Sequence, residues 1–160
     1  MEKAIEIFKN ALEMEVQAEI FYEKAAEVTE DDESRMVFLE LSNMEDGHAR
    51  RIVERFKKTA FGRAFDADKW LYEVEREDDK ILNVEISDLF AQGDMRAILE
   101  SAVKMEEKAR DNYRQLSERF SDPEDIAYCS DLADEEQKHV NSIMRLLNSI
   151  DKELDDRPEL

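Results

Sequence analysis

Both histidines of this chain lie three residues after a glutamate, and the two pairs repeat at a fixed distance. Glu45 and His48 form one Glu-x-x-His pair, and Glu136 and His139 form the other, 91 residues later. Residues three apart on a helix lie on the same face. Each pair can therefore present a carboxylate and an imidazole to one metal ion.

Two further glutamates and two tyrosines extend this repeat. Glu15 and Glu106 are also 91 residues apart, and each lies 30 residues before its Glu-x-x-His pair. Tyr22 and Tyr113 follow these glutamates by seven residues, which is two helical turns, so they lie on the same faces. The sequence therefore predicts six metal ligands that repeat in register, with a tyrosine placed to hydrogen-bond to a ligand carboxylate in each half.

The charge of these residues indicates which ions they would bind. Four carboxylates in a helical core would repel one another and lose their hydration, and two divalent cations would cancel that charge. Carboxylate and imidazole ligands suit iron or manganese with open coordination positions. Cys129 is the only cysteine, which excludes an intramolecular disulfide and a four-cysteine metal site within the chain.

The elements that must position these residues are long helices. The chain has three glycines, two prolines and 41% charged residues, a composition typical of helical proteins. Apolar spacing and capping signals predict an all-α domain over residues 1–151. The predicted segments are helices at 2–29, 33–59, 95–120 and 123–151, a crossover at 60–94 and a polar tail at 152–160.

Short turns within each pair of helices place the ligands at equal heights. Helices joined by a few residues must be antiparallel. The midpoint between Glu15 and Glu45 is residue 30, and the midpoint between Glu106 and Glu136 is residue 121, so both midpoints lie in the turns. Each glutamate is then roughly 22 Å from its turn, near the middle of the bundle.

These motifs resemble the ferritin-like di-iron carboxylate proteins and, among them, the rubrerythrin group. The resemblance covers nearly the whole chain and implies a ferritin-like four-helix bundle, in which a long crossover joins two antiparallel hairpins. It implies two iron ions (Fe2+/Fe3+), with manganese as the alternative. The implied metal ligands are Glu15, Glu45, His48, Glu106, Glu136 and His139, and Tyr22 and Tyr113 are implied to support them.

The sequence departs from that group in two places. Typical members carry a rubredoxin-like domain with four cysteines, and a single cysteine here predicts that this domain is absent. They also carry an extra glutamate one turn after the third-helix ligand, where this chain has Ala109. We therefore expect a separate electron donor, such as a rubredoxin-like protein, and no ligand exchange of the kind that depends on the extra glutamate.

Three functions remain open at this stage. The resemblance favours an oxidoreductase that reduces hydrogen peroxide, or dioxygen, at a carboxylate-bridged di-iron centre. The alternatives are a ferritin-like iron-binding or ferroxidase protein for iron handling or storage, and a non-catalytic helical metal-binding module. Sustained peroxide turnover without release of iron would distinguish the first from the others.

Charge and hydropathy limit the partners and the location. A net charge of −19 argues against nucleic acid and anionic membrane surfaces, which attract basic patches. No stretch approaches the roughly 18 apolar residues of a membrane span, and the N-terminus has no apolar signal region. We therefore expect a cytoplasmic protein. We also expect a homodimer, with exchange of a hairpin through residues 60–94 as one way of forming it.

Overall fold

The structure is a computed structural model that describes residues 2–59, 62, 65–76 and 84–155. The elements in these residues are all helices: α1 (Glu2–Val28), α2 (Asp32–Lys57), α3 (Ala67–Glu75), α4 (Val84–Gln92), α5 (Met95–Ser117) and α6 (Pro123–Asp155). The chain divides into two compact units, Met1–Ala91 and Gln92–Leu160. Each unit is built around one long helical hairpin.

The hairpin of the first unit consists of α1 and α2, and a capped turn joins them. The carboxylate of Asp31 accepts a hydrogen bond from the Ser34 backbone N–H at 2.7 Å, so it satisfies one of the free amides at the start of α2. The Arg35 guanidinium donates to the Thr29 carbonyl at 2.7 Å from within α2. The two helices are therefore held antiparallel with a fixed register.

Aromatic contacts on either side of the hairpin centre show that register. Phe8 stacks on Phe56 with ring centroids 4.1 Å apart, and Tyr22 stacks on Phe38 at 6.1 Å. Leu12 is fully buried between these two levels, and burying such a side chain contributes roughly 2 kcal/mol. The residues halfway between the two aromatic pairs must then face one another across the hairpin.

The short helix α3 packs against both α1 and α2. This helix lies within the predicted crossover and runs from Ala67 to Glu75, with Asp66 as its N-cap. Leu71 and Val74 are buried on its inner face. Its N-terminal end is also held by an ion pair between Lys57 and Asp68 at 2.6 Å.

Helix α4 was not predicted, because its apolar residues span only one or two turns. It buries Phe90, whose ring lies 5.1 Å from that of Phe21. Gly93 follows with a φ of 64°, a left-handed conformation that glycine adopts without strain. Two other apolar residues of the crossover, Ile81 and Leu82, lie outside the described residues.

The hairpin of the second unit consists of α5 and α6. Asp94 caps α5 by accepting a hydrogen bond from the Ala97 N–H at 3.2 Å. Pro123 occupies the first position of α6, where its missing N–H costs nothing. Helix α6 continues to Asp155, so residues 152–155 of the predicted tail are helical, and an ion pair joins Arg96 to Asp151 near this end.

Candidate metal-binding site

Three of the predicted ligands meet inside the first hairpin. Glu15 comes from α1, and Glu45 and His48 come from one face of α2; these three form the first ligand cluster. The His48 Nδ1 atom lies 3.2 Å from a carboxylate oxygen of Glu15 and 3.2 Å from one of Glu45. All three residues are at most 2% exposed. The register of the hairpin therefore brings donors that are far apart in the sequence into one compact group.

The other three predicted ligands meet in the same way inside the second hairpin. Glu106 comes from α5, and Glu136 and His139 come from α6; these three form the second ligand cluster. The His139 Nδ1 atom lies 3.0 Å from a carboxylate oxygen of Glu136 and 3.5 Å from one of Glu106. Glu136 is completely buried, and the other two are at most 4% exposed. The sequence repeat is thus also a repeat of geometry.

The donor atoms in each cluster are spaced as the ligands of one ion would be. In an octahedral site with bonds of about 2.1 Å, neighbouring donors lie about 3 Å apart. The nitrogen-to-oxygen distances in the two clusters run from 3.0 to 3.5 Å. In each cluster the three residues can offer ligand atoms that lie within 4.8 Å of one another. Both clusters are therefore able to hold a metal ion.

The charges of the buried residues also favour a bound cation. Among the described residues, no lysine or arginine is buried, whereas four glutamates are. A buried carboxylate needs a partner that compensates for its lost hydration. The neighbouring imidazole can supply only part of that compensation, because it is cationic only when protonated. The composition of both clusters therefore suits a bound cation.

The two predicted supporting tyrosines are also buried. Tyr22 is 0% exposed and Tyr113 is 1% exposed. The Tyr22 ring is fixed by Phe38, on which it stacks, and by Phe21, which meets it edge-on at 5.6 Å. Tyr113 lies on the inner face of α5. Their hydrogen bonding to ligand carboxylates stays a prediction.

A third group of acidic residues was not predicted from the sequence. Glu19 of α1, Asp46 of α2 and Glu75 of α3 can place carboxylate oxygens within 4.8 Å of one another; we call them the acidic cluster. Glu19 and Asp46 could have been noticed, since each lies close in sequence to a predicted ligand. Glu75 could not, because its position depends on how α3 packs against the hairpin.

Comparison with known proteins identifies the family of the chain. The family model described as Rubrerythrin matches residues 6–92 and 97–159, which include both hairpins and both ligand clusters. The chain belongs to the rubrerythrin family. No curated protein matches it, and no solved structure matches it.

Membership of the rubrerythrin family confirms two predictions from the sequence. The resemblance was correct, and so was the all-α, ferritin-like fold class. The buried carboxylate and imidazole groups, together with the family, fit a di-iron protein. None of the described helices has the length and hydropathy of a transmembrane segment.

Proposed function

We propose that this rubrerythrin-family protein is an oxidoreductase that reduces hydrogen peroxide, or dioxygen, with electrons from an external donor. Two iron ions would serve as its cofactor, with manganese as the alternative metal. The supporting observation is the pair of equivalent, buried Glu/Glu/His clusters in a chain of this family. The proposed ligands are Glu15, Glu45, His48, Glu106, Glu136 and His139.

The donor set leaves room for a substrate. Four carboxylates and two imidazole Nδ1 atoms offer at most ten donor atoms, whereas two octahedral ions require about twelve. When bound, two iron ions would supply Lewis acidity and the two electrons that convert hydrogen peroxide and two protons into two water molecules. The external donor would then replace those two electrons.

The chain itself supplies burial and orientation. Apolar side chains on the helix faces that carry Glu15 and Glu106, including Leu12 and Leu99, are fully buried and would keep bulk water away from the reacting atoms. The hydroxyl groups of Tyr22 and Tyr113 would fix the ligand carboxylates by hydrogen bonding. We propose a rubredoxin-like protein as the donor, because the single cysteine cannot form a four-cysteine iron site.

Turnover experiments test the proposal against iron handling. Protein loaded with ferrous iron without oxygen would be mixed with excess peroxide and a reductant in a stopped-flow instrument. We expect many turnovers per chain, with the iron retained. One stoichiometric oxidation followed by release of iron would instead support a ferroxidase role, and iron that is retained without any turnover would support a non-catalytic metal-binding module.

A matched pair of variants connects the activity to the ligand cluster. Glu106 and Glu107 are neighbours on α5, but Glu106 is buried and Glu107 is partly exposed. We expect E106Q to reduce both the iron content, measured by elemental analysis, and the peroxide turnover. E107Q should leave both unchanged. Equal iron content and turnover in the two variants would contradict the proposed assignment of ligands.

A further inference from the structure

The acidic cluster lies where three helices of the first unit meet, and a single arginine from α2 bridges it. Arg50 donates a hydrogen bond from Nε to the Asp46 carboxylate at 3.0 Å. Its Nη2 atom forms ion pairs with the other Asp46 oxygen at 2.9 Å and with a Glu75 oxygen at 3.7 Å. Glu19 of α1 completes the cluster and is partly buried. The end of α3 is thus attached to the hairpin through groups whose net charge depends on protonation.

Glu19 is the member of this cluster whose ionisation is disfavoured. Its pKa is raised to about 7, first because burial removes hydration and then because Asp46, Glu23 and Glu75 repel its charge. Arg50 opposes this effect, but it is the only cation that acts on Glu19 among the residues that the structure describes. Near neutral pH, the cluster therefore changes its charge at Glu19.

The two ends of α3 are held in different ways. At the N-terminal end, Lys57 forms an ion pair of 2.6 Å with Asp68, which joins opposite charges. At the C-terminal end, Glu75 approaches two other acids and shares Arg50 with Asp46. Lys57 is also paired with Glu54, so two acids share a lysine at the N-terminal end, whereas three acids meet at the C-terminal end, where repulsion weakens the attachment more.

The internal repeat shows that a hairpin of this kind does not require three neighbouring acids at these positions. In the second hairpin, Arg110 and Gln137 occupy the positions equivalent to Glu19 and Asp46, 91 residues later. The Arg110 guanidinium donates to the side-chain amide oxygen of Gln137 at 2.8 Å. The Gln137 side-chain nitrogen donates to the side-chain oxygen of Asn141 at 3.1 Å. The same positions can thus form a hydrogen-bonded network without three neighbouring acids.

We propose that protonation of Glu19 controls how tightly the C-terminal end of α3 packs against the α1–α2 hairpin. With a proton on Glu19, Arg50 faces the two negative charges of Asp46 and Glu75, which leaves one excess negative charge, and the helix end stays packed. Loss of that proton adds a third negative charge and favours release of the helix end. Glu19 lies one turn after Glu15, and Asp46 follows Glu45, so this movement would occur beside the first ligand cluster.

The direction of the pH effect follows from proton linkage. The packed state binds the Glu19 proton more tightly than the released state, in which the pKa returns toward 4.5. The contribution of Glu19 to packing is therefore fully present below about pH 4.5, falls as the pH rises to about 7, and is constant above that range. Because Glu19 is partly exposed to water, we expect a change of roughly tenfold in the packing equilibrium rather than the full effect.

Hydrogen exchange of the purified protein tests this inference. The backbone amides of α3 would be followed by mass spectrometry from pH 5 to pH 8, after correction for intrinsic exchange rates. We expect protection to fall roughly tenfold with rising pH. Fluorescence of Trp70, the only tryptophan and a residue of α3, should follow the same transition. Protection of α3 that does not depend on pH would overturn the proposal.

Variants separate the effect of Glu19 from that of other titratable groups. E19Q keeps the shape of the side chain but cannot ionise, so the pH dependence of α3 should disappear. E27Q removes a glutamate elsewhere on α1 and should leave the pH dependence of exchange protection in α3 unchanged. E75Q should make that change in protection smaller. If E19Q retains the pH dependence of the unmodified protein, the proposal is wrong. Because none of these substitutions alters a proposed ligand, this outcome is independent of the proposed redox activity.

Discussion

Replacing Glu136 by glutamine should change stability in opposite directions with and without metal. Glu136 is completely buried and lies beside Glu106 in the second ligand cluster. In metal-free protein, E136Q removes one of two neighbouring buried carboxylates while keeping the volume of the side chain. Because neighbouring buried carboxylates lose their hydration and repel one another, we expect E136Q to raise the free energy of unfolding by about 1–2 kcal/mol.

In metal-loaded protein the same substitution removes a ligand. A hundredfold loss of metal affinity lowers the free energy of unfolding by about 2.7 kcal/mol when metal is in large excess. This loss exceeds the gain expected from removing the charge, so the net effect becomes destabilising by about 1 kcal/mol. For a chain of this size, 1 kcal/mol corresponds to a change in melting temperature of about 2–4 °C.

Thermal unfolding followed by circular dichroism would measure both effects. E136Q and the unmodified protein would be compared in a chelator and in excess ferrous iron without oxygen. E107Q, which changes a partly exposed glutamate on α5, should stay within about 0.5 kcal/mol of the unmodified protein in both conditions. Destabilisation of E136Q by the same amount in both conditions would refute the argument that a cation compensates this carboxylate.

Three further predictions concern local structure, and each is measured as a change in urea or thermal unfolding. G47A should stabilise the protein by about 0.5–1 kcal/mol, because a Cβ at this position in α2 meets no atom of the described residues within 4 Å; a loss of stability would indicate a contact from outside those residues. G62A should destabilise it, because a Cβ there would lie 2.6 Å from the Phe56 carbonyl oxygen, and an unchanged midpoint would contradict that contact. D94A should cost about 1 kcal/mol through loss of the α5 cap, and D94N should largely restore it.

The ligand clusters could be predicted because their determinants are local and repeated. A spacing of three places Glu45 beside His48 on any helix, and a short turn fixes the level at which Glu15 meets them. The second hairpin repeats the same spacing, which makes coincidence improbable. The structure brings each predicted set of three together as expected, while their binding of metal stays a prediction.

The crossover could not be predicted to the same extent, because its structure depends on contacts between distant residues. Helix α4 is short, and its position is marked by the contact of Phe90 with Phe21 rather than by a long periodic pattern. The acidic cluster likewise depends on the packing of α3, which brings Glu75 to Glu19. Apolar spacing identifies the buried face of such a helix but not the partner that covers it.

The position of the ligands within their helices affects how quickly a bound ion could be exchanged. Glu15, Glu45 and Glu106 lie near the midpoints of α1, α2 and α5, far from the ends where helices fray. Local opening reaches such central turns rarely, and usually together with the whole cooperative segment. Escape of an ion would then require separation of a hairpin, so its residence time would follow the unfolding rate of that hairpin rather than the strength of any one bond.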